Sequence, residues 1–267
     1  TMKGFIEKAV LKSCQVIAFP EMCIGGYLLG DRWTEDSWCS ELMAYNDVLK
    51  TYSENIVLIY GNVHADEQHK NKDGRCMKFN AAYAFYKQKP LRASAHFPMG
   101  LTVKTLLPNY RIFDDERYFL SLQEYALASG IPLEELIAPF EISIDGKNRK
   151  IGVEICEDLW FNDYSYKGKP LNVSRCLIEK GAEVLINISS SPWTYGKDKA
   201  RDNRIKDLQK DTPSFVPFYY VNCVGTQNNG KNMVVFDGDS TVYNKKGEVA
   251  ATAREPYEEE LLVYKSG

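Results

Sequence analysis

The sequence predicts a single domain of the α/β class. Apolar, β-rich runs alternate with helical patterns along all 267 residues, the arrangement typical of α/β folds. No internal repeat, low-complexity stretch or linker-like segment interrupts this alternation. Hydrophobic residues make up 44% of the chain and charged residues 26%, a balance that supports one ordered core and argues against disorder.

Charge and cysteine content exclude several kinds of function. The net charge of −3 offers no basic field for nucleic acid or an anionic membrane surface. No apolar run approaches the ~18 residues of a membrane span, and no signal-peptide pattern opens the sequence. We therefore expect a cytoplasmic protein without nucleic-acid or membrane partners. The seven cysteines contain no CxxC pair, which argues against a disulfide framework and a thiolate zinc site.

Histidine is scarce, which limits the chemistry open to the cysteines. The three histidines are His64, His69 and His96. The first two belong to "NVHADEQHKNKDG", which we interpret as a solvated loop, and the third also has a polar context. A Cys/His dyad or a His-rich metal site is therefore not expected.

The elements of the first half follow from apolar spacing. Residues 3–15 have helical spacing, and "VIAFPE" (16–21) is a short β-rich run stopped by Pro20. Residues 54–63 predict a buried strand that leads into the polar loop. Residues 79–90 predict a strand and its turn.

The second half continues the alternation. Residues 114–130 predict an amphipathic helix with Gly130 as its stop signal. Residues 138–156 predict a β-hairpin around an Asp-Gly turn at 145–146. The last segments are predicted as helix, glycine and strand, then as two β-rich regions: residues 174–191, 215–227 and 233–253.

Two charged residues stand out against these apolar runs. Glu21 follows the strand of residues 16–21 at its carboxyl end, where α/β proteins place ligand-facing groups, although a solvated glutamate fits the pattern equally well. Lys104 lies in a mostly apolar stretch, where a buried ammonium needs a partner. Taken alone, a surface lysine with its stem along apolar groups is the simpler interpretation.

Cys156 ends the apolar strand of "VEICEDLW". A helix start beyond it lowers the pKa of a thiol, whereas the neighbouring carboxylates of Glu157 and Asp158 oppose that effect. A free cysteine at a strand end is also commonly a small buried apolar side chain. The local sequence leaves both interpretations open.

Together the three residues suggest acyl transfer without histidine. The carboxylate of Glu21 would accept the thiol proton of Cys156 and later activate water. The ammonium of Lys104 would stabilise the oxyanion, helped by a backbone N–H next to the cysteine. This hypothesis joins residues that are far apart in the sequence, so geometry has to test it.

Four segments, in this order, carry a resemblance: "FPEMCIGGY", "KTLLPNYRIFDDERYF", "IGVEICEDLW" and "NISSSPWTYGK". They resemble the nitrilase superfamily of carbon–nitrogen hydrolases, and are most like the glutaminase domain of glutamine-dependent NAD synthetases. The resemblance runs from about residue 3 to "EEELLV" near the end. It implies a nitrilase-like α-β-β-α sandwich formed by one domain over residues 1–267, no metal or organic cofactor, and a homo-oligomer.

The family's Glu–Lys–Cys triad falls on Glu21, Lys104 and Cys156. The resemblance implies that these are general base, oxyanion-stabilising cation and nucleophile. Its substrate-site positions fall on Tyr27, Tyr110, Asp115, Ser191 and Lys197. Of these, Lys197 is implied to engage the α-carboxylate of an amino acid, a place where some relatives use arginine and its bidentate geometry.

Two departures from the family pattern concern the triad and the chain start. Asp115 stands where many relatives have a second glutamate. Its side chain is shorter by one methylene, roughly 1 Å, so its orienting effect on the lysine or glutamate is expected to weaken or to pass to Glu116. The family's usual first strand is not recognisable before the helical pattern that follows Thr1, and we expect an incomplete N-terminal edge.

NAD synthetases also carry an ATP-pyrophosphatase domain with an SGGxDS phosphate loop, and this motif does not occur in the 267 residues. We therefore do not expect this chain alone to adenylate nicotinate adenine dinucleotide. It would be either part of such an enzyme, with a synthetase domain or subunit as partner, or a free-standing amidase.

The predicted function is hydrolysis of a carboxamide, with L-glutamine favoured as the substrate that yields glutamate and ammonia. The nearest alternative is the same chemistry on another amide, a nitrile or an N-carbamoyl compound. A non-catalytic scaffold with this fold is the alternative from another class. A thiol redox pair of Cys156 and Cys176 has no CxxC motif to support it.

Overall fold

Helices cover two β-sheets in the computed structural model, which describes residues 1–265. The α-helices are α1 (Met2–Leu11), α2 (Asp36–Thr51), α3 (Leu122–Ser129), α4 (Leu133–Leu136), α5 (Val173–Glu179) and α6 (Lys197–Asp211). Three 3-10 segments lie at Gly30–Thr34, Asp115–Arg117 and Cys156–Asp163.

The strands alternate with these helices. They are β1 (Val16–Ala18), β2 (Val57–Lys70), β3 (Cys76–Tyr86), β4 (Lys89–Pro90), β5 (Leu101–Val103), β6 (Phe140–Ile144), β7 (Lys147–Ile155), β8 (Ser165–Tyr166), β9 (Lys169–Pro170), β10 (Val184–Ser189), β11 (Phe218–Asn222), β12 (Val224–Asn228), β13 (Met233–Asp237), β14 (Thr241–Tyr243) and β15 (Val249–Thr252).

The strands form two main sheets and two short ribbons. The first sheet has the order β1-β2-β3-β4, with β5 also paired to β3. The second has the order β15-β14-β11-β10-β7-β6. The pairs β1–β2, β7–β10 and β10–β11 are parallel, so the carboxyl ends of β7 and β10 meet at one edge. The ribbons are β8–β9 and β12–β13.

An apolar layer joins the sheets face to face. It combines small side chains of β3, Ala82 and Ala84, with branched ones of β7 and β10 such as Val153 and Ile186. Alanine on one face and branched residues on the other allow close packing without voids. Helix α2 packs against β2 outside the first sheet, and α5 packs against β7 outside the second. The result is the four-layer α-β-β-α arrangement that the family resemblance implied.

Most predicted elements are confirmed, including the first helix and the strand on each side of the Asp-Gly turn. Asp145 (φ 51°) and Gly146 (φ 73°) both adopt the left-handed region, as a two-residue hairpin turn requires. The predicted solvated loop around His64 and His69 is wrong, because β2 continues through both and pairs with β3, for example His64 with Phe79. Pairing of β2 with β3 satisfies the backbone hydrogen-bonding groups of this segment, although its side chains are mostly polar.

The predicted helix of residues 114–130 is also wrong in its first half. Residues 115–117 form a 3-10 turn, and α3 begins only after Ser121, whose hydroxyl accepts a hydrogen bond from the N–H of Glu124. This capping box sets a later start than the apolar pattern suggested. Gly130 ends α3 with φ 72°, as predicted. Within residues 1–265, no helix is both long and apolar enough to cross a membrane.

One glycine allows the first sheet to approach the turn that follows β1. Gly61 on β2 donates its N–H to the carbonyl of Pro20 at 3.1 Å. A β-carbon on Gly61 would stand 2.5 Å from the Cα of Glu21 and also clash with the Met22 nitrogen. Both are backbone atoms, so the contact could be relieved only by moving the turn that carries Glu21.

We therefore expect Gly61→Ala to destabilise the protein by about 1–3 kcal/mol, the usual cost of overpacking, and to displace Glu21. Thermal unfolding and amide hydrolysis measure the two effects. Gly4→Ala is the matched control, since nothing lies within 4 Å of a β-carbon there, and it should not lower the melting temperature. Unchanged stability and activity in Gly61→Ala would contradict this account of the turn.

Candidate active site

The ends of four strands bring the proposed triad together. Glu21 lies three residues beyond β1, Lys104 directly follows β5, Cys156 directly follows β7, and Ser190 directly follows β10. The triad is almost closed to water: Glu21 and Lys104 are each 1% exposed and Cys156 is 8% exposed. A buried acid, amine and thiol at one edge of the sandwich form a candidate active site.

The carboxylate of Glu21 is fixed by three donors. Its Oε1 accepts hydrogen bonds from Lys104 Nζ and from Asn80 Nδ2, each at 2.7 Å. Its Oε2 accepts from the backbone N–H of Ser190 at 2.7 Å, and the Ser190 hydroxyl donates to the Glu21 carbonyl at 2.8 Å. Strand β3, the end of β5 and the end of β10 therefore all hold this one side chain.

Lys104 lies between two carboxylates. Besides Glu21 it contacts Asp115 Oδ2 at 3.2 Å, and its ammonium stands 5.6 Å from the ring centre of Tyr27. Burial alone lowers the pKa of Lys104, but the charges of Glu21 and Asp115 outweigh burial and hold that pKa well above its ordinary value. The lysine is therefore a permanent cation near neutral pH.

Asp115 reaches the lysine in spite of its short side chain. The 3-10 turn at 115–117 buries it (4% exposed), and Tyr27 donates its hydroxyl proton to Asp115 Oδ1 at 2.5 Å. Burial raises the pKa of Asp115, although Lys104 and the Tyr27 hydroxyl oppose the shift. Glu116 does not take over this contact, because it accepts a hydrogen bond from Asn109 Nδ2 at 2.7 Å instead.

Cys156 stands at a sharp turn between β7 and the following 3-10 segment. Its φ of 46° lies in the left-handed region, which costs a non-glycine residue roughly 1–2 kcal/mol. Such strain is frequent where a fold presents a reactive side chain. Asp158 secures the turn by accepting backbone hydrogen bonds from Ile155 (3.0 Å), Thr105 (3.0 Å) and Leu106 (2.8 Å).

The environment of Cys156 keeps its thiol protonated at rest. Burial raises the pKa of this thiol, the charge of Glu21 raises it further, and Lys104 opposes both. These charges do not favour a resting thiolate of Cys156 paired with the ammonium of Lys104. A protonated thiol that acts as a nucleophile loses its proton during the attack, which requires an adjacent base.

A cavity of about 510 Å³ has Glu157, the residue next to Cys156, in its wall. Its walls are Leu107, Asn109, Tyr110, Arg111, Glu116, Glu157, Trp160, Asp163, Tyr164 and Lys197. Glu157 directly follows Cys156 and accepts hydrogen bonds from the hydroxyls of Tyr164 (2.8 Å) and Tyr110 (3.1 Å). The ammonium of Lys197, at the start of α6, stands 4.5 Å from the ring centre of Trp160. An anchored carboxylate and a cation thus face one cavity.

The five predicted substrate-site residues lie in three different places. Tyr110 and Lys197 line the cavity, whereas Tyr27 and Asp115 lie against Lys104. Ser191 is buried, and its backbone N–H and carbonyl both bond the side chain of Asn222, at 2.9 and 3.2 Å.

Sequence reasoning missed three members of the site. Asn80 and Ser190 hold Glu21, and Glu157 lines the cavity. For Glu157, the sequence signal is its position next to Cys156. Asn80 sits inside an apolar strand pattern, where a buried amide needs a partner, and this could have drawn attention to it.

Comparison with known proteins identifies the family of this chain. The sequence model described as carbon-nitrogen hydrolase matches residues 1–265. The chain belongs to the carbon–nitrogen hydrolase family. Among solved structures of this fold, the carbon–nitrogen hydrolase from Helicobacter pylori is 18% identical, with a TM-score of 0.67 over 96% of this chain and 80% of that protein; at this identity the likeness speaks for the fold alone.

Glutamine-dependent NAD(+) synthetases are similar to this hydrolase chain over most of its length. The enzyme from Synechocystis sp. is 30% identical over 249 residues, covering 91% of this chain and 38% of the synthetase. The structure of the Acinetobacter baumannii enzyme in complex with ADP has a TM-score of 0.71 at 25% identity, over 97% of this chain and 40% of that protein. The chain thus spans about two fifths of the length of these relatives.

The charges around Cys156 predict how a Glu21→Gln substitution acts. Because the Glu21 charge raises the pKa of the thiol and Lys104 lowers it, removing the carboxylate should lower that pKa and increase the thiolate fraction at pH 7–8. Alkylation of Cys156 by iodoacetamide should then be at least as fast as in the wild type, while amide hydrolysis falls about 10²–10⁴-fold through loss of the base.

Peptide mass mapping of the adduct, with Cys156→Ala as the blank, assigns the alkylated thiol in this experiment. Slower alkylation in Glu21→Gln than in the wild type would contradict the charge balance described above.

Proposed function

We propose that this carbon–nitrogen hydrolase cleaves the side-chain amide of L-glutamine, giving glutamate and ammonia. The observation that carries the proposal is the cavity beside Cys156, which presents the anchored carboxylate of Glu157 and the ammonium of Lys197. An α-amino acid offers the complementary pair, an ammonium and a carboxylate. The cavity volume of about 510 Å³ also suits a ligand of this size.

In the proposed reaction, Cys156 Sγ attacks the amide carbon and transfers its proton to Glu21. The carbonyl electrons move onto oxygen, and the oxyanion is stabilised by Lys104 Nζ and by the backbone N–H of Glu157. Glu21 then gives the proton to the amide nitrogen, and the C–N bond breaks to release ammonia. This division of work supports Glu21 as base, because the thiol is protonated at rest.

The second half of the reaction releases glutamate. Water, deprotonated by Glu21, attacks the γ-glutamyl thioester, and the C–S bond breaks as Cys156 recovers its proton. All proton transfers pass through one carboxylate whose two oxygens are held by Lys104, Asn80 and Ser190.

The similarity to NAD synthetases supports ammonia as a product passed to a synthetase domain or subunit, since those relatives are more than twice as long as this chain. We propose such a partner for this hydrolase. A homo-oligomer and a cytoplasmic location stay predictions that rest on the family resemblance and the composition.

The direct test is ammonia release from L-glutamine. We expect release by the wild type and its loss in both Cys156→Ala and Glu21→Gln. The assay is run with the purified chain alone and again with a synthetase domain added. Activity only in the second case would show that the chain needs the synthetase domain, whereas no activity in either case would show that it does not hydrolyse glutamine. Higher kcat/KM for simple aliphatic amides than for glutamine would favour a general amidase instead.

Lys197 provides a sharper test of the substrate. Lys197→Ala should raise KM for glutamine about 10- to 100-fold, the range expected when a buried charged contact is removed, and should leave butyramide hydrolysis unchanged because butyramide has no α-carboxylate. Lys197→Arg should restore most of the affinity. Lys199→Ala is the matched control, since that lysine is exposed two residues further along α6. Equal losses on glutamine and butyramide would contradict α-carboxylate recognition.

A further inference from the structure

Another buried carboxylate lies two residues before Cys156 in the sequence and has no part in the proposed reaction. Glu154 on β7 is 1% exposed. Its Oε2 accepts a hydrogen bond from the Ser174 hydroxyl at 2.5 Å, and its Oε1 accepts one from Asn187 Nδ2 at 2.9 Å. Burial raises the pKa of Glu154 to about 7, with both donors opposing the shift. Burying a carboxylate in a core costs free energy. The hydrogen-bond partners of Glu154 therefore indicate which groups it positions.

The Asn187 amide connects Glu154 to the cysteine. Asn187 on β10 is the direct register partner of Glu154 on β7. Its Nδ2 donates to Glu154 Oε1 and also to the carbonyl oxygen of Cys156 at 3.3 Å. Its Oδ1 accepts from the Ser189 hydroxyl at 2.6 Å. Both amide hydrogens and the amide oxygen are therefore used, which leaves this side chain one orientation.

The carbonyl that Asn187 holds belongs to a peptide with two functions. It is the carbonyl of Cys156, the residue with the left-handed φ of 46°. The same planar trans peptide ends in the N–H of Glu157, so fixing its oxygen fixes the direction of that N–H, which points the opposite way. In the proposed reaction this N–H stabilises the oxyanion.

We propose that Glu154 and Asn187 are positioning residues that hold the Cys156–Glu157 peptide, and with it both the thiol and the oxyanion donor. The inference rests on the proposed function for the oxyanion contact, but the positioning of the thiol does not depend on the identity of the substrate. Glu154 fixes the orientation of the Asn187 amide, and Asn187 fixes the orientation of the Cys156–Glu157 peptide. The peptide in turn fixes the positions of the thiol and of the Glu157 N–H.

Four variants test this chain of contacts. Asn187→Ala and Glu154→Ala, the anchor variants, remove the side chains that hold the Cys156 carbonyl in place. Glu154→Gln keeps an acceptor for Asn187 while the Ser174 hydroxyl turns to accept from the new amide, so it should rescue the alanine variant. Ser174→Ala is the matched control, because it deletes a buried hydrogen bond to Glu154 Oε2, whereas Asn187 binds the other oxygen, Oε1.

We expect Asn187→Ala and Glu154→Ala to lower kcat for glutamine about 10- to 100-fold, somewhat less than removal of an oxyanion donor outright, with KM within about 3-fold. Glu154→Gln and Ser174→Ala should stay within about 5-fold of the wild-type kcat. If the role were purely structural, all variants would instead show a lower melting temperature and less folded enzyme. The folded fraction would then not show a lowered kcat with a nearly unchanged KM.

Iodoacetamide alkylation of Cys156 separates this proposal from the choice of substrate, since it needs no glutamine. The rate should fall at least about 3-fold in Asn187→Ala and be unchanged in Ser174→Ala. If the wild type releases no ammonia from glutamine, the alkylation series still decides the positioning role. If Asn187→Ala does not fold, Asn187→Ser is used, since its short hydroxyl cannot reach both partners. Wild-type kcat and alkylation rate in the anchor variants would overturn the proposal.

Discussion

An ammonium buried between two carboxylates holds this site together. Moving the charge of Lys104 out of water costs several kcal/mol, and the cost is offset only when every partner is itself satisfied. Here Glu21 is completed by an amide and a backbone N–H, and Asp115 by the hydroxyl of Tyr27. These groups come from separate segments at the ends of both sheets, so the ion cluster and the packing of the sandwich depend on each other. Loss of Lys104 would leave two uncompensated carboxylates in the core.

The turn at Cys156 is also stabilised by buried polar groups that have hydrogen-bond partners. The left-handed Cys156 is stable only because the backbone around it is held on several sides. Asp158 ties the turn to the segment that follows Lys104, through the N–H groups of Thr105 and Leu106. Asn187 holds the opposite side of the turn through the Cys156 carbonyl. Cys156 and Lys104 therefore lie on segments that are joined by hydrogen bonds, which limits how far the two side chains can move apart.

The sequence predicted the parts of this site that lie at strand ends. Glu21 and Cys156 each close an apolar run, and the alternation of elements predicted the α/β class. The sequence could not show which distant groups form hydrogen bonds with each other. Nothing near Asn80 indicates that its amide reaches Glu21, 59 residues away. The strand around His64 was wrongly predicted as a loop because its polar and charged residues obscure the apolar ones that pack in the core, Val63 and Ala65. The start of α3 was misplaced because a capping serine outweighed apolar spacing.

The charges of the site are separated into two systems, and this separation bears on which end of a substrate enters. Around Cys156, two carboxylates share the one ammonium of Lys104, so these three charged groups together disfavour a substrate carboxylate. In the proposed reaction a neutral amide can enter this region, whereas the carboxylate that hydrolysis would produce meets Glu21 and is repelled. In the cavity, Lys197 supplies a separate cation, and burial lowers its pKa while the charge of Glu157 opposes the shift. In the proposed reaction, the same arrangement therefore directs the amide inward, holds the amino-acid end outward and favours release of the acid.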